Sequence, residues 1–217
     1  MRVTIGLKAH SGWAVLVAVA REGADRFTVI ERSRIEMLED RDAEWAGQPY
    51  HAAQDQPQDK ARAIVAKGIA EVHRGARREL RAAVARMGAA GHPIAACAVL
   101  TPAPLPGWST GQILAVHVRM HQAEGALYPR ELIDAARHCG LRVRAIEQKR
   151  LEDHAEQALG LRGAAIMKRL AALGKPLGAP WGADQKAAAL AAMITLVASR
   201  SPPIKPGMRS GRSRSTS

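Results

Sequence analysis

The order of the apolar segments constrains this chain more than any other feature. Val3, Ile5 and Leu7 alternate with Arg2, Thr4 and Gly6, the period-two pattern of a strand with one covered face. After Lys8, Ala9, His10, Ser11 and Gly12, the run from Trp13 to Ala20 is apolar throughout, as in a central strand buried on both sides. Glu22 to Asp25 makes a turn, and 26–37 reads as a third strand with Phe27, Val29 and Ile35 on one side. Connections this short join neighbours, so the three strands should form an antiparallel meander.

Helices and strands then alternate. A long helix opens at Pro57 and Asp59 and reaches Gly88 or Gly91, with Ala61, Val65, Val72, Leu80 and Met87 on its buried stripe. Gly68 and Gly75 are its weak points, where a break would fall. Ile94 to Leu100 is a short buried strand, ended by the Pro-rich turn Thr101 to Gly107. Ser109 or Thr110 can cap a helix from Gly111 to about Leu127, continuing past Pro129 to His138. Gly140 closes it, and Leu141, Val143 and Ala145 alternate with arginines in a fifth strand. A helical region from Arg150 to Leu173 is interrupted near Gly160 to Gly163, and the last helix runs from Ala183 to about Ser199. The polar stretch 38–58 holds Trp45, Tyr50 and His51; it either caps the sheet edge or forms a functional loop. These elements make one α/β domain over residues 1–199, followed by a basic disordered tail over 200–217.

The net charge of +12 points toward a polyanionic partner, DNA or RNA first. Two plainer sources share that charge. Codon bias enriches arginine with alanine, and the tail alone supplies +5 through Arg200, Lys205, Arg209, Arg212 and Arg214 with no acid. Arg74, Arg77, Arg78, Arg81 and Arg86 read as a solvated face of the long helix, or else as a phosphate-contacting one. Cys97 and Cys139 belong to no C-x-x-C pair or disulfide framework. No signal-peptide pattern opens the chain and no apolar run could cross a bilayer, so the expected location is cytoplasmic, with no membrane partner. Neither G-x-G-x-x-G nor G-x-x-x-x-G-K-[ST] occurs, which removes the two commonest nucleotide cradles. One Phe, two Tyr and four Trp leave little material for an aromatic stacking platform.

Strand, strand, strand, helix, strand, helix, strand, helix is the order of the ribonuclease H-like fold, a five-stranded mixed sheet. Local wording extends the match. Ile5-Gly-Leu-Lys8 with Gly12-Trp-Ala-Val-Leu resembles the opening of the Holliday-junction resolvase (RuvC) family, an I-G-[IL]-D strand turning into a G-[WY]-A strand. Met120 to Leu127, Ala135-Ala136 and Gly140-Leu-Arg-Val143 are similar to that family's central helix and following strand. Asp184 to Ala192 resembles its closing D-A-x-D-A-L-A-x-A helix. The resemblance implies a nuclease that clamps two Mg²⁺ ions between converging carboxylates. It also implies where those carboxylates should be. Lys8 stands at the first position, Thr101 at the end of the fourth strand, and Ala187 or Ala188 at the second acidic position of the closing helix. Only Asp184 remains. A standard two-metal nuclease is therefore disfavoured, and the expected function is a non-catalytic or atypical member of this fold that binds nucleic acid or another polyanion.

A second class of function stays open. His117, His121 and Glu124 fall at i, i+4 and i+7, hence on one helix face, and could hold a divalent metal such as Zn²⁺ or Fe²⁺. The plain alternative is a polar helix edge. His10 and His51 complete such a site only if the fold brings their loops to it. Lys8, His10 and Ser11 share a turn at a strand end, where they could bind phosphate together with Arg119, or where His10 could activate Ser11; an ordinary tight turn is the competing reading. In this version Lys8, His10, Glu124 and Asp184 would carry hydrolase or phosphoryl chemistry. A third reading is a subunit whose Ala-rich helices pack against an oligomeric or protein partner.

Overall fold

The computed structural model describes residues 2–23, 26–39 and 44–198, so the basic tail expected over 200–217 lies outside the described residues. Three strands open the fold: β1 (Arg2–His10), β2 (Trp13–Glu22) and β3 (Arg26–Glu36). Two short helices, α1 (Glu44–Gly47) and α2 (Pro49–Ala52), precede the long α3 (Gln58–Ala89). Then come β4 (Ile94–Thr101), α4 (Thr110–Leu114), α5 (His117–His138) and β5 (Arg142–Glu147). Three helices close the fold: α6 (Leu151–Leu159), α7 (Gly163–Gly174) and α8 (Ala183–Ala198). No helix among the described residues is long and apolar enough to cross a membrane.

The sheet order is β3-β2-β1-β4-β5, with β1, β2 and β3 antiparallel and β1, β4 and β5 parallel. This is the expected mixed sheet. Alternation on each strand divides it into two cores. Val3, Ile5, Leu7, Leu16 and Val99 face α3 and α5, meeting Val72, Leu80, Leu127 and Leu132. Val15, Val17, Val19, Ala98 and Leu100 face the other way, against α6, α7 and α8. Position 6 has no side chain because α8 occupies that space. A Cβ on Gly6 would lie 1.9 Å from the Ala188 carbonyl oxygen, so helix backbone rests directly on strand backbone.

Three local expectations need correction. Ile35 does not share a side with Phe27 and Val29: it sits in the α3/α5 core, while they pack toward α8. Val19 pairs with Val29 but Ala18 pairs with Glu31, leaving Ile30 as one extra residue. That bulge reverses the sidedness of the rest of β3. Second, α3 runs unbroken for 32 residues. Its glycines are points of close approach: a Cβ on Gly75 would be 2.0 Å from the Met37 oxygen, and one on Gly68 would be 2.5 Å from Pro49 Cβ. Third, the single helix expected after Ser109 is two helices, broken at Ala115 and Val116, while Pro129 is accommodated inside α5 as expected. Ser109 and Gln112 form a reciprocal capping box that starts α4, as the sequence suggests.

Gly75→Ala is expected to destabilise the protein by about 1–3 kcal/mol, since its methyl group must displace the Met37 backbone. Gly88→Ala, which adds a methyl into open space on the same helix, should stabilise by about 0.5–1 kcal/mol. Urea midpoints for the pair check this; equal effects would mean the close contact at Gly75 is absent.

Candidate functional site

The carboxyl end of β1 and the amino end of α8 meet because of the contact at Gly6. Gly6, Lys8 and His10 point to one face of the sheet. Asp184 lies four residues before Ala188, one helical turn back along the same side of α8. Accordingly the His10 ring nitrogen Nε2 is 3.0 Å from Asp184 Oδ2. His10 also stacks on Trp13, with ring centroids 4.2 Å apart and planes 11° from parallel. The guanidinium of Arg34 covers that indole 4.0 Å from its centroid. Lys8 donates from Nζ to the Gln148 side-chain oxygen, in the turn after β5. Burial holds its ammonium below the ordinary lysine range, partly offset by the nearby Asp184 carboxylate. The end of β1 thus carries a partly desolvated cation, and Asp184, the carboxylate beside it, is paired with a histidine.

The other sequence candidates have their own places. Ser11 is exposed at the β1–β2 turn. Arg119 is spent on α4 and the preceding loop, donating to the Gln112 carbonyl oxygen at 3.0 Å with its guanidinium 5.0 Å over Trp108. The arginines of α3 are largely tied within the chain: Arg74 to Glu71, Arg77 to His138, Arg78 to Glu39, and Arg86 to Glu31 at 2.5 Å. That arrangement is the solvated, internally paired helix face rather than a row of free cations.

A second cluster gathers on α5. One ligand nitrogen from each of His51, His117 and His121 lies within 4.8 Å of the other two. His117 and His121 are one turn apart on α5 with their Nε2 atoms 3.0 Å from each other. His51 comes from α2, seated by Gly68, whose missing side chain admits Pro49 and the Trp45 carbonyl against α3. Tyr128 on α5 donates to the Gly47 oxygen at 2.6 Å and ties down the same segment. Glu124, expected as a third metal ligand or catalytic acid, instead grips His51. Its Oε1 accepts from the His51 backbone N–H at 3.1 Å, and its Oε2 lies 2.7 Å from His51 Nδ1. The carboxylate is 6% exposed, the exposed pair being His117 and His121.

Lys8, His10 and Asp184 therefore form one group on the α8 side, and His51, His117, His121 and Glu124 another on α5. A cavity of about 530 Å³ opens at the ends of β4 and β5, with Thr101, Glu147, His121 and Gln148, the partner of Lys8, on its wall. Gln148 has no motif to announce it, since a lone glutamine after a strand is unremarkable. His51 carried a chemical signal, but its partners lie 66 and 70 residues away, and only the seat at Gly68 makes the approach visible.

Glu124→Ala is expected to destabilise by about 1–3 kcal/mol, because it strands a partly buried backbone N–H and the His51 ring donor. Asp184→Ala, whose pair with His10 is about one-third exposed, should cost about 1 kcal/mol or less. Chemical denaturation of both variants distinguishes a structural carboxylate from one held for another purpose.

No protein-family model matches the sequence, and no curated protein matches it. Solved structures do. Thermus thermophilus RuvC in complex with a Holliday junction substrate matches with a TM-score of 0.50 at 15% identity, over 91% of this chain and 94% of that one. A further Thermus thermophilus RuvC structure matches at 0.49 and 12%, over 91% and 95%. The Aquifex aeolicus PPX-GPPA enzyme matches at 0.35 and 12%, over 75% of this chain and 42% of that one. At such identity the likeness is one of architecture, and it bears out the α/β, ribonuclease H-like arrangement of RuvC across nearly the whole chain.

Proposed function

We propose that this chain is a RuvC-fold protein that binds DNA or RNA in the cytoplasm without two-magnesium cleavage. The observation that carries the reading is the cation at the end of β1: Lys8 lies where the resemblance implies a metal-binding acid, and Asp184 is held by His10. A lysine there repels Mg²⁺ and attracts phosphate. Thr101 and Ala188 supply no further carboxylate. Lys149 and Glu147 flank Gln148 on the cavity wall and offset each other, so the positive balance rests on Lys8 and on the five basic residues in the sequence of the tail. The RuvC match in complex with its junction substrate makes branched DNA the first ligand to try.

Fluorescence anisotropy with a labelled four-way junction, a duplex and a single-stranded RNA tests the reading. Three phosphate contacts would weaken binding by about 40-fold between roughly 50 and 200 mM salt through counterion release. Lys8→Ala should weaken all sequences alike and lower the salt slope by about one. Absence of binding, or Mg²⁺-dependent cleavage abolished by Asp184→Asn, would refute it.

The lowered lysine fixes the sign of a pH effect. A depressed ammonium loses its proton below the usual 10.5, so the Lys8-dependent share of binding should disappear as pH climbs toward that value. Lys8→Arg, which stays charged, should retain its affinity over the same titration. Parallel anisotropy titrations of the two proteins make the check.

A further inference from the structure

We propose that His51, His117 and His121 bind one divalent transition-metal ion, zinc foremost, with Glu124 as an outer carboxylate and solvent in the fourth position. The reasoning begins at His51. Its Nδ1 faces a carboxylate oxygen at 2.7 Å, and a carboxylate can only accept, so Nδ1 carries the proton. In the neutral ring the lone pair is then on Nε2. That atom is buried and has no hydrogen-bond partner. A buried acceptor left unsatisfied costs about 1–3 kcal/mol, so it calls for an occupant. The rings of His121 and His117 lie beside it, with centroids 4.5 Å and 5.3 Å from that of His51.

The rest of the arrangement fits a metal in detail. Tetrahedral zinc with nitrogens at 2.0–2.1 Å needs them roughly 3.3 Å apart. The pair on α5 is at 3.0 Å, and all three nitrogens fall within 4.8 Å, so rotation about the side-chain torsions of the exposed His117 and His121 closes the set. Glu124 takes the outer part that metal-bound histidines usually require, fixing the tautomer and aiming the ring. Three neutral imidazoles and no oxygen ligand suit zinc, cobalt or nickel and are poor for magnesium or calcium. His117 and His121 are exposed, which leaves the fourth position to water and makes the centre open rather than closed. His121 also borders the cavity beside Thr101 and Gln148, so a molecule in that cavity would lie next to the ion. The site shares no ligand with the Lys8 group, and it stands or falls independently of nucleic-acid binding.

The test uses the full chain, purified without a histidine tag and stripped with a chelator. Titration with zinc chloride is expected to show one ion per chain at micromolar affinity or better. X-ray absorption on the loaded protein should show three imidazole ligands. His51→Ala should weaken binding at least 100-fold, and Glu124→Gln about 10- to 100-fold, as for other outer-shell carboxylates. Two imidazoles, or zinc affinity unchanged in His51→Ala, would reduce the site to an ordinary pair of helix histidines and overturn the proposal. Failure to bind a stoichiometric ion would do the same. The ligand count needs no variant, so misfolding of His51→Ala does not remove the test.

Discussion

The contact between Gly6 and the Ala188 carbonyl is the constraint that builds the site. A helix resting on a strand without an intervening side chain has little freedom to slide or rotate, because a close-packed interface has few alternative registers. Strand periodicity then carries the same face outward to Lys8 and His10, and helical periodicity carries the facing side back to Asp184. Three chemical groups meet at one end of the sheet as a result of the contact between two small residues, Gly6 in β1 and Ala188 in α8. The Ala-rich composition of α8 serves the same end. Ala188, Ala189, Ala191 and Ala192 are fully buried and allow the helix to lie low over β1, β2 and β4.

The charge pattern at this junction differs in kind from the one that magnesium requires. A carboxylate cluster raises its own repulsion and relieves it by taking up a cation. Here the same space holds an ammonium partly stripped of water, a histidine stacked on an indole, and one carboxylate at the first turn of α8, where the helix dipole favours it. The group is already neutralised within the chain. Lys8 hydrogen-bonds the neutral Gln148, and its counter-charge is the Asp184 carboxylate that His10 shares. The histidine group on α5 has a different make-up, three imidazoles gathered beside one buried carboxylate. The cavity at the ends of β4 and β5 touches both groups, through Gln148, the partner of Lys8, and through His121.

Much of this was legible in the residues. Alternation and short connections suffice for the meander, and glycine, proline and capping residues bracket most helices within a residue or two. Sidedness failed where a bulge intervened: Ile30 is an inconspicuous residue, yet its insertion moves Ile35 to the other core. Gly68 and Gly75 were misleading for a related reason. Propensity treats a glycine in a helix as a weakness, whereas tertiary contact makes it the only residue that fits. Glu124 looked like a ligand because spacing puts it on the face of His117 and His121. Spacing along one helix says nothing of what a second segment brings, and here α2 brings His51 to occupy it. The lysine at the end of β1 was visible from the outset; its glutamine partner, distant in sequence, was not.

The central claim is that no magnesium site forms where β1 meets α8. Diffraction from crystals soaked in Mn²⁺, recorded near the manganese absorption edge, tests it most directly. The expected map has no anomalous peak between Lys8, Thr101 and Asp184, and the Lys8 ammonium remains against Gln148. A manganese ion bound to Asp184 in that space, with Lys8 swung aside, would contradict it.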